Sequence, residues 1–176
     1  MNSQSTPAWP DELFRALRAL DVRQIAYVPD AGHKQLLNQA LAEPSIEAIA
    51  LTTEQEGVAL AAGAWLGGQR AAVLMQSSGL GNCVNAIASI TRACQFPLLM
   101  LITMRGEWGE GNPWQVPMGT ALAPVLDTMG VHLNRLEDPG AAYATLHAAG
   151  TQCFAGGGPA ALLISQRLIG AKAFVE

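Results

Sequence analysis

Short apolar runs alternate along this chain with longer helical stretches. Six runs have strand length: "VRQIAYVPD" at 22–30, "SIEAIALT" at 45–52, "RAAVLMQ" at 70–76, "PLLMLITMR" at 97–105, "VHLNRLE" at 131–137 and "PAALLISQR" at 159–167. Between them the pattern predicts helices. The first covers about Pro10–Leu20, opened by Pro10, Asp11 and Glu12, a Pro and two acids suited to a first turn. Others cover 32–43, Thr53–Leu66, the stretch from the "SSGLGN" turn to about Cys94, about Gly119–Met129, and 139–157. Apolar strands alternating with helices predict a three-layer α/β/α fold with a mostly parallel six-stranded sheet covered on both faces. No repeat or linker breaks the pattern, so residues 1–176 read as a single domain. In such sheets ligands gather at the carboxyl ends of the strands.

The chain has 176 residues, enough for one domain with a proper core. It is 50% hydrophobic and 14% charged, against about 25% charged in an ordinary soluble domain. Part of its surface is therefore expected to lie against another chain. A net charge of -4 without a Lys/Arg cluster excludes nucleic acid as a partner. The longest apolar run, "FPLLMLI" at Phe96–Ile102, is far short of the roughly 20 residues of a membrane span. The opening "MNSQSTPAWPDELF" lacks the pattern of a secretory leader, so a cytoplasmic location is expected. Cys83, Cys94 and Cys153 form no CxxC pair and read as small hydrophobes.

Four segments after strands carry candidate chemistry. In "TEQEGVALAAGAW" at Thr53–Trp65, Thr53-x-x-Glu56 has capping-box spacing, which would give Glu56 a structural task. Glu54 then stands at the first helical position. It is either a solvated acid favoured by the helix dipole or, beside Gly57, Ala59, Ala61, Ala62, Gly63 and Ala64, a carboxylate next to something bulky that packs closely. Desolvation there would suit it to exchange a proton with a bound base. In "MQSSGLGNCVN" at Met75–Asn85, Gln76, Ser77, Ser78, Gly79 and Asn82 form a polar turn that either caps its helix or lines a ligand. GxGxxG and GK[ST] are both absent, so it is not a standard phosphate loop.

The loop "RGEWGEGNPWQVPMG" at Arg105–Gly119 is long and rich in Gly and Pro, as functional loops often are. Arg105 is either a surface cation or a contact for a substrate anion. Trp108 and Trp114 are candidate interface anchors. In "VPDAGH" at Val28–His33, Asp30 is a turn cap or a catalytic acid, and His33 titrates near neutrality. Gly32 allows close backbone approach.

Together these segments resemble the pyrimidine-binding domain of thiamine diphosphate enzymes. The likeness extends to the phosphonopyruvate decarboxylases and the alpha subunit of sulfopyruvate decarboxylases. It is carried by "VPD", "EQEGVALAAG", "MQSSGLGNCVNAIASI", "FPLLMLITMRGE" and "WQVPMG", and covers about Leu20–Arg167. The resemblance implies that Glu54 hydrogen-bonds N1′ of the cofactor's aminopyrimidine and so promotes proton loss from the thiazolium C2. It implies decarboxylation of a 2-oxo acid with a second anionic group, with Arg105 and His33 as substrate contacts and Asp30 and His33 beside Glu54 in catalysis. Gln76, Ser77, Ser78, Gly79 and Asn82 would line the cofactor. The small residues would let cofactor and a partner helix pack closely.

The family's diphosphate site uses Mg2+ and a GDG motif. This chain has no GDG, and about nine residues follow its last strand. The resemblance therefore implies no metal ligand on this chain, a beta subunit that carries the diphosphate-binding half, and a hetero-oligomer with thiamine diphosphate between subunits. Two departures are notable. Ala64-Trp65 stands where relatives place an aromatic directly after the glycine, and Ala31 rather than Ser follows "VPD", so His33 points to a different substrate. Another thiamine diphosphate lyase or synthase, and a non-catalytic regulatory subunit of the same fold, remain as alternatives.

Overall fold

In the computed structural model, which describes residues 8–170, the apolar runs form a six-stranded sheet. The strands are β1 (Val22–Tyr27), β2 (Glu47–Ala50), β3 (Arg70–Gln76), β4 (Leu98–Thr103), β5 (His132–Leu136) and β6 (Pro159–Ile164). Their order is β2-β1-β3-β4-β6-β5, and every pairing is parallel, so the mostly parallel expectation becomes a fully parallel sheet. The helices are α1 (Trp9–Ala19), α2 (Lys34–Ala42), α3 (Glu54–Leu66), α4 (Leu80–Ala86), α5 (Val116–Thr128), α6 (Ala142–Gly156) and α7 (Gln166–Ile169). Residues 1–7, half of the opening stretch that lacks a leader pattern, and the last six residues lie outside the described part.

The two-residue period of the strands divides the core in two. Ile25, Ala72, Leu74, Leu99, Leu101, Leu162 and Ile164 point to the face covered by α1, α2 and α6. Val73, Met75, Leu98, Met100, Ile102, Ala161 and Leu163 point to the face covered by α3, α4 and α5. All six residues of β4 and of β6 are buried, as strands covered on both faces must be. The polar run "VHLNRLE" becomes β5, an edge strand with exposed His132 and Leu133.

Two helices depart from the sequence pattern. α5 begins at Val116 rather than Gly119, because Pro117 falls in its first turn, where a missing N–H costs nothing. The helix that starts at α4 widens into a π-helical stretch, Ile87–Arg92, before it ends. The interior of α3 also differs from expectation. Gly57, Val58, Ala61, Ala62 and Ala64 are buried within this chain, and of its small residues Ala59 and Gly63 face outward. Most of the small run therefore serves the packing of α3 on this chain's own sheet, not on a partner helix.

A Cβ at Gly57 would stand 2.7 Å from Val73 Cγ1 and 3.0 Å from Leu51 Cδ1. Gly57→Ala is expected to lose about 1–2 kcal/mol through overpacking, although alanine is the better helix former. Urea unfolding checks this. The midpoint should fall at constant slope. A raised midpoint would show that Val73 and Leu51 yield freely.

Candidate active site

Glu54 opens α3 just beyond β2, where free N–H groups of the first turn favour a carboxylate. Its Oε2 accepts a hydrogen bond from Asn82 Nδ2 at 2.9 Å. A Cβ added at Gly79 would overlap the same carboxylate, so a side chain at 79 is incompatible with this placement. Asn82 and Gly79 thus hold Glu54 from α4 and from the turn before it. Among the described residues Oε1 takes no hydrogen bond. Glu54 is half-buried, so this chain alone does not supply the dry site expected around it. Burial, and to a lesser degree the Glu54 charge, pushes the Cys83 thiol up to about 12, which makes Cys83 an inert core group.

The capping box forms only in part. Thr53 is the residue before α3, but its side chain makes no capping bond. Glu56 does reach back, though to Thr52 N, which donates to Oε2 at 2.9 Å. The carboxylate half of the device is present one residue early, and Glu56 is exposed and structural.

A second cluster spans the ends of β1, β3 and β4, on both sides of the β1/β3 junction where the winding of the sheet reverses. Asp30 Oδ2 accepts from Thr103 Oγ1 at 2.6 Å and from Gly32 N at 3.2 Å. Asp30 Oδ1 accepts from Gln76 Nε2 at 3.2 Å. Gln76 Oε1 accepts from Ser78 Oγ and from Gln115 Nε2, both at 3.0 Å. Gly32 fits tightly here, since a Cβ would stand 2.7 Å from Thr103 Cγ2. Ser77 is buried and ties β3 to β4, its Oγ accepting from Arg105 N at 3.1 Å. Ser78 and Asn82 are exposed and Gly79 is buried.

Two expected site residues are placed differently. His33 is buried, with Nε2 3.3 Å from the Met75 carbonyl. It faces the protein rather than open space, which removes it as a direct substrate contact in this arrangement. Burial lowers its pKa, against smaller opposing effects of the Asp30 charge and nearby carbonyls. Arg105 is also buried, and its fork is taken by Glu110: Nε donates to Oε2 at 2.7 Å and Nη2 to Oε1 at 2.6 Å. Glu110 also accepts from Gly106 N, Asn112 N and Gln166 Nε2. These bonds, that to Arg105 first, hold its carboxyl down to about 2. Arg105 is therefore an internal clamp on the 106–112 loop, not a free anion contact. Trp108 remains partly open beneath the Arg167 guanidinium, 5.2 Å from the ring centre, and Trp114 is 72% exposed.

Sequence reasoning passed over Thr103, Glu110, Gln115 and Gln166. Thr103 and Gln166 carried one signal: Thr103 closes the otherwise apolar β4, and Gln166 follows the apolar β6 by two residues. A cleft of about 350 Å³ runs beside Asp30, lined by Tyr27, Pro29, Lys34, Leu37 and Leu41 among others. Among the described residues no group of three His, Cys, Asp or Glu is placed to hold a metal ion. No described helix is long and apolar enough to cross a membrane.

Comparison with known proteins places this geometry in context. Residues 10–131 match the family described as thiamine pyrophosphate enzyme, N-terminal TPP binding domain. The sulfopyruvate decarboxylase subunit alpha of Methanocaldococcus jannaschii is 36% identical over 151 residues, which cover 86% of this chain and 89% of that protein. The phosphonopyruvate decarboxylase of Streptomyces viridochromogenes is 33% identical over 128 residues, 72% of this chain but 32% of that protein. The solved 2-oxoglutarate:ferredoxin oxidoreductase of Magnetococcus marinus superposes over 93% of this chain and 29% of its own, with a TM-score of 0.75 at 13% identity, a likeness of fold. This chain thus spans about a third of the length of the latter two and most of the length of the alpha subunit.

Two outcomes follow from the buried titratable groups. Glu110→Ala is expected to cost about 3–5 kcal/mol, because Arg105 would be left buried without its counter-charge; urea unfolding measures it, and a loss below about 1 kcal/mol would contradict the buried pair. His33 resists protonation in the fold, so its contribution is complete above its ordinary value of 6.5 and is lost as pH falls below it. That of Glu110 is complete above 4.5 and lost as pH falls through about 2. Unfolding midpoints from pH 7.5 to 5 should decline in the parent chain and flatten in His33→Gln. Equal slopes would show that His33 titrates normally.

Proposed function

This chain belongs to the thiamine pyrophosphate enzymes, and we propose that it is the alpha subunit of a heteromeric thiamine diphosphate-dependent 2-oxo acid decarboxylase with Glu54 as the group that engages the cofactor's aminopyrimidine. The single observation that carries the role of Glu54 is its clamped carboxylate: Asn82 and Gly79 hold it at the carboxyl end of the sheet, and Oε1 is left for a donor. An aminopyrimidine fits this donor set, because a carboxylate accepts from, and can give a proton to, a ring nitrogen. Bound thiamine diphosphate supplies the carbon nucleophile and the electron sink that loss of CO2 requires.

The chain's own residues do the following. Glu54 holds and moves a proton at the pyrimidine nitrogen, Asn82 fixes its angle, and Gly79 keeps the space it occupies clear. Gln76, Ser78 and Gly79 shape the wall of the same site, and buried Ser77 braces it from behind by accepting from Arg105 N. Asp30 and its partners form the polar edge next to it. The exposed half of Glu54 is covered, in this reading, by a beta subunit that also holds the diphosphate and Mg2+. Support comes from the name of relatives that this chain covers to two thirds or more of their length, each a sulfopyruvate decarboxylase subunit alpha. Sulfopyruvate is the first substrate to test, because those relatives bear its name, and phosphonopyruvate the second. With Arg105 committed to Glu110, the second anion of the substrate is assigned to contacts outside Arg105.

The test is the reconstituted pair with sulfopyruvate. Glu54→Gln should lower turnover by about 10²–10⁴-fold, with the complex still assembling on a sizing column. Glu56→Gln should stay within a few-fold of the parent. Exchange of these two outcomes would move the proton-handling role to Glu56. An unchanged Glu54→Gln complex would remove the chain from the chemistry and leave an assembly role.

A further inference from the structure

A 2-oxo acid with a second anion needs a cation to receive it, and Arg105 is already held by Glu110. The other described cations narrow the choice. Arg135 donates to Glu107 and to Glu137. Arg167 lies over the Trp108 ring, 5.2 Å from its centre. Arg15, Arg18 and Arg23 each pair with an acid. Arg70 starts β3, at the opposite end of the sheet, and donates to the Leu20 carbonyl. Arg92 stands against Gly130. Lys34 is left. It is exposed, and it joins none of the ion pairs among the described residues.

The local fold presents Lys34 to open cavities. Asp30 caps the turn Ala31–His33 by accepting from Gly32 N at 3.2 Å, and His33 at the end of that turn is buried. Lys34 follows as the first residue of α2 and stands outside. Two cavities meet at it. One is the cleft of about 350 Å³ beside Asp30; the other, of about 450 Å³, lies between Trp9, Gly32 and Leu168. Ala31, Lys34 and Asn38 line both. Lys34 and Asn38 are four residues apart, so they are neighbours on one face of α2. The other polar side chains of this helix, Gln35 and Gln39, donate to Asp11. Among the described residues neither Lys34 nor Asn38 makes a side-chain hydrogen bond, so an ammonium and an amide remain as the unused donors of the two cavities.

We propose that Lys34 binds the second anion of the substrate, with the Asn38 amide as a further donor, and that this site selects a sulfonate over a phosphonate. This rests on the reading that the chain serves a 2-oxo acid decarboxylase. The selectivity follows from charge. One cation, Lys34, and one carboxylate, Asp30, line the same cleft. Thr103, Gly32 and Gln76 already donate to the two oxygens of Asp30, which fix it there as an acceptor. A sulfonate carries a single charge, which Lys34 balances. A phosphonate, like a phosphate monoester, carries nearly two near neutrality. Its second charge would meet Asp30 with no cation to offset it.

The test uses the complex with the partner subunit and probes that cannot be turned over: 3-sulfopropionate, 3-phosphonopropionate, and butyrate, which lacks the second anion. Calorimetry should find 3-sulfopropionate bound more tightly than either of the others. Lys34→Met should raise its Kd by about 10–100-fold, the loss of a charge-assisted hydrogen bond, and Lys34→Arg should recover most of the affinity. Lys34 is exposed, so the urea midpoint of each variant should match that of the parent, which separates lost binding from lost folding. A Kd for 3-sulfopropionate that Lys34→Met leaves in place, or a parent complex that does not bind this probe, overturns the anion site. Tighter binding of 3-phosphonopropionate overturns the selectivity. Turnover of sulfopyruvate is read separately. A complex that binds 3-sulfopropionate through Lys34 but releases no CO2 from sulfopyruvate keeps the anion site and removes the decarboxylase. A complex that releases CO2 with the same kcat/KM in parent and Lys34→Met overturns the anion site and leaves the decarboxylase reading intact.

Discussion

A parallel sheet buried on both faces leaves polar side chains almost nowhere to go except its ends. β4 and β6 are apolar along their buried lengths apart from Thr103, the last residue of β4. Arg105, Ser165 and Gln166 follow at once, and Gln76 with Ser77 stands at the end of β3. Because all six strands run the same way, these groups converge on one edge. The placement of Asp30, Glu54, Gln76 and Gln115 depends on that convergence.

Within that edge the groups divide into those that bind the protein to itself and those left with unused capacity. Arg105, Glu110 and Gln166 saturate one another and close the 106–112 loop. Ser77 joins two strands. Glu54 keeps one oxygen without a partner while the rest of its side chain is held in place. Rigid support with a free acceptor is the arrangement expected of groups that meet a ligand. The half-exposure of Glu54 fits a site completed by a second chain, as does the low charge content of the whole.

The strands and most helix limits were legible in the sequence, because burial on both faces leaves continuous apolar runs that no other element explains. Glu54 was legible too, as an acid at the first helical position after a strand, and the site's family followed from motifs in combination. The partners of these residues were not legible. Arg105 and Glu110 are five residues apart in a Gly-rich loop, and nothing in their spacing says that the loop folds back on itself. The capping of α3 shifted from Thr53 to Thr52, a difference set by the backbone path into the helix. His33 read as a neutral-range titrant in contact with substrate, but the 3-10 turn Ala31–His33 swings it inward. In each case the path of the backbone decided between readings that the local pattern left open.

The central claim is that this chain holds one half of a cofactor site and its partner the other. The most direct measurement is a calorimetric titration of thiamine diphosphate, with Mg2+ present, into this chain alone, its co-purifying partner alone, and the equimolar mixture. Saturable tight binding by the mixture, and little by either chain separately, is the predicted result. Tight binding by this chain alone, or none by an assembled mixture, would contradict it.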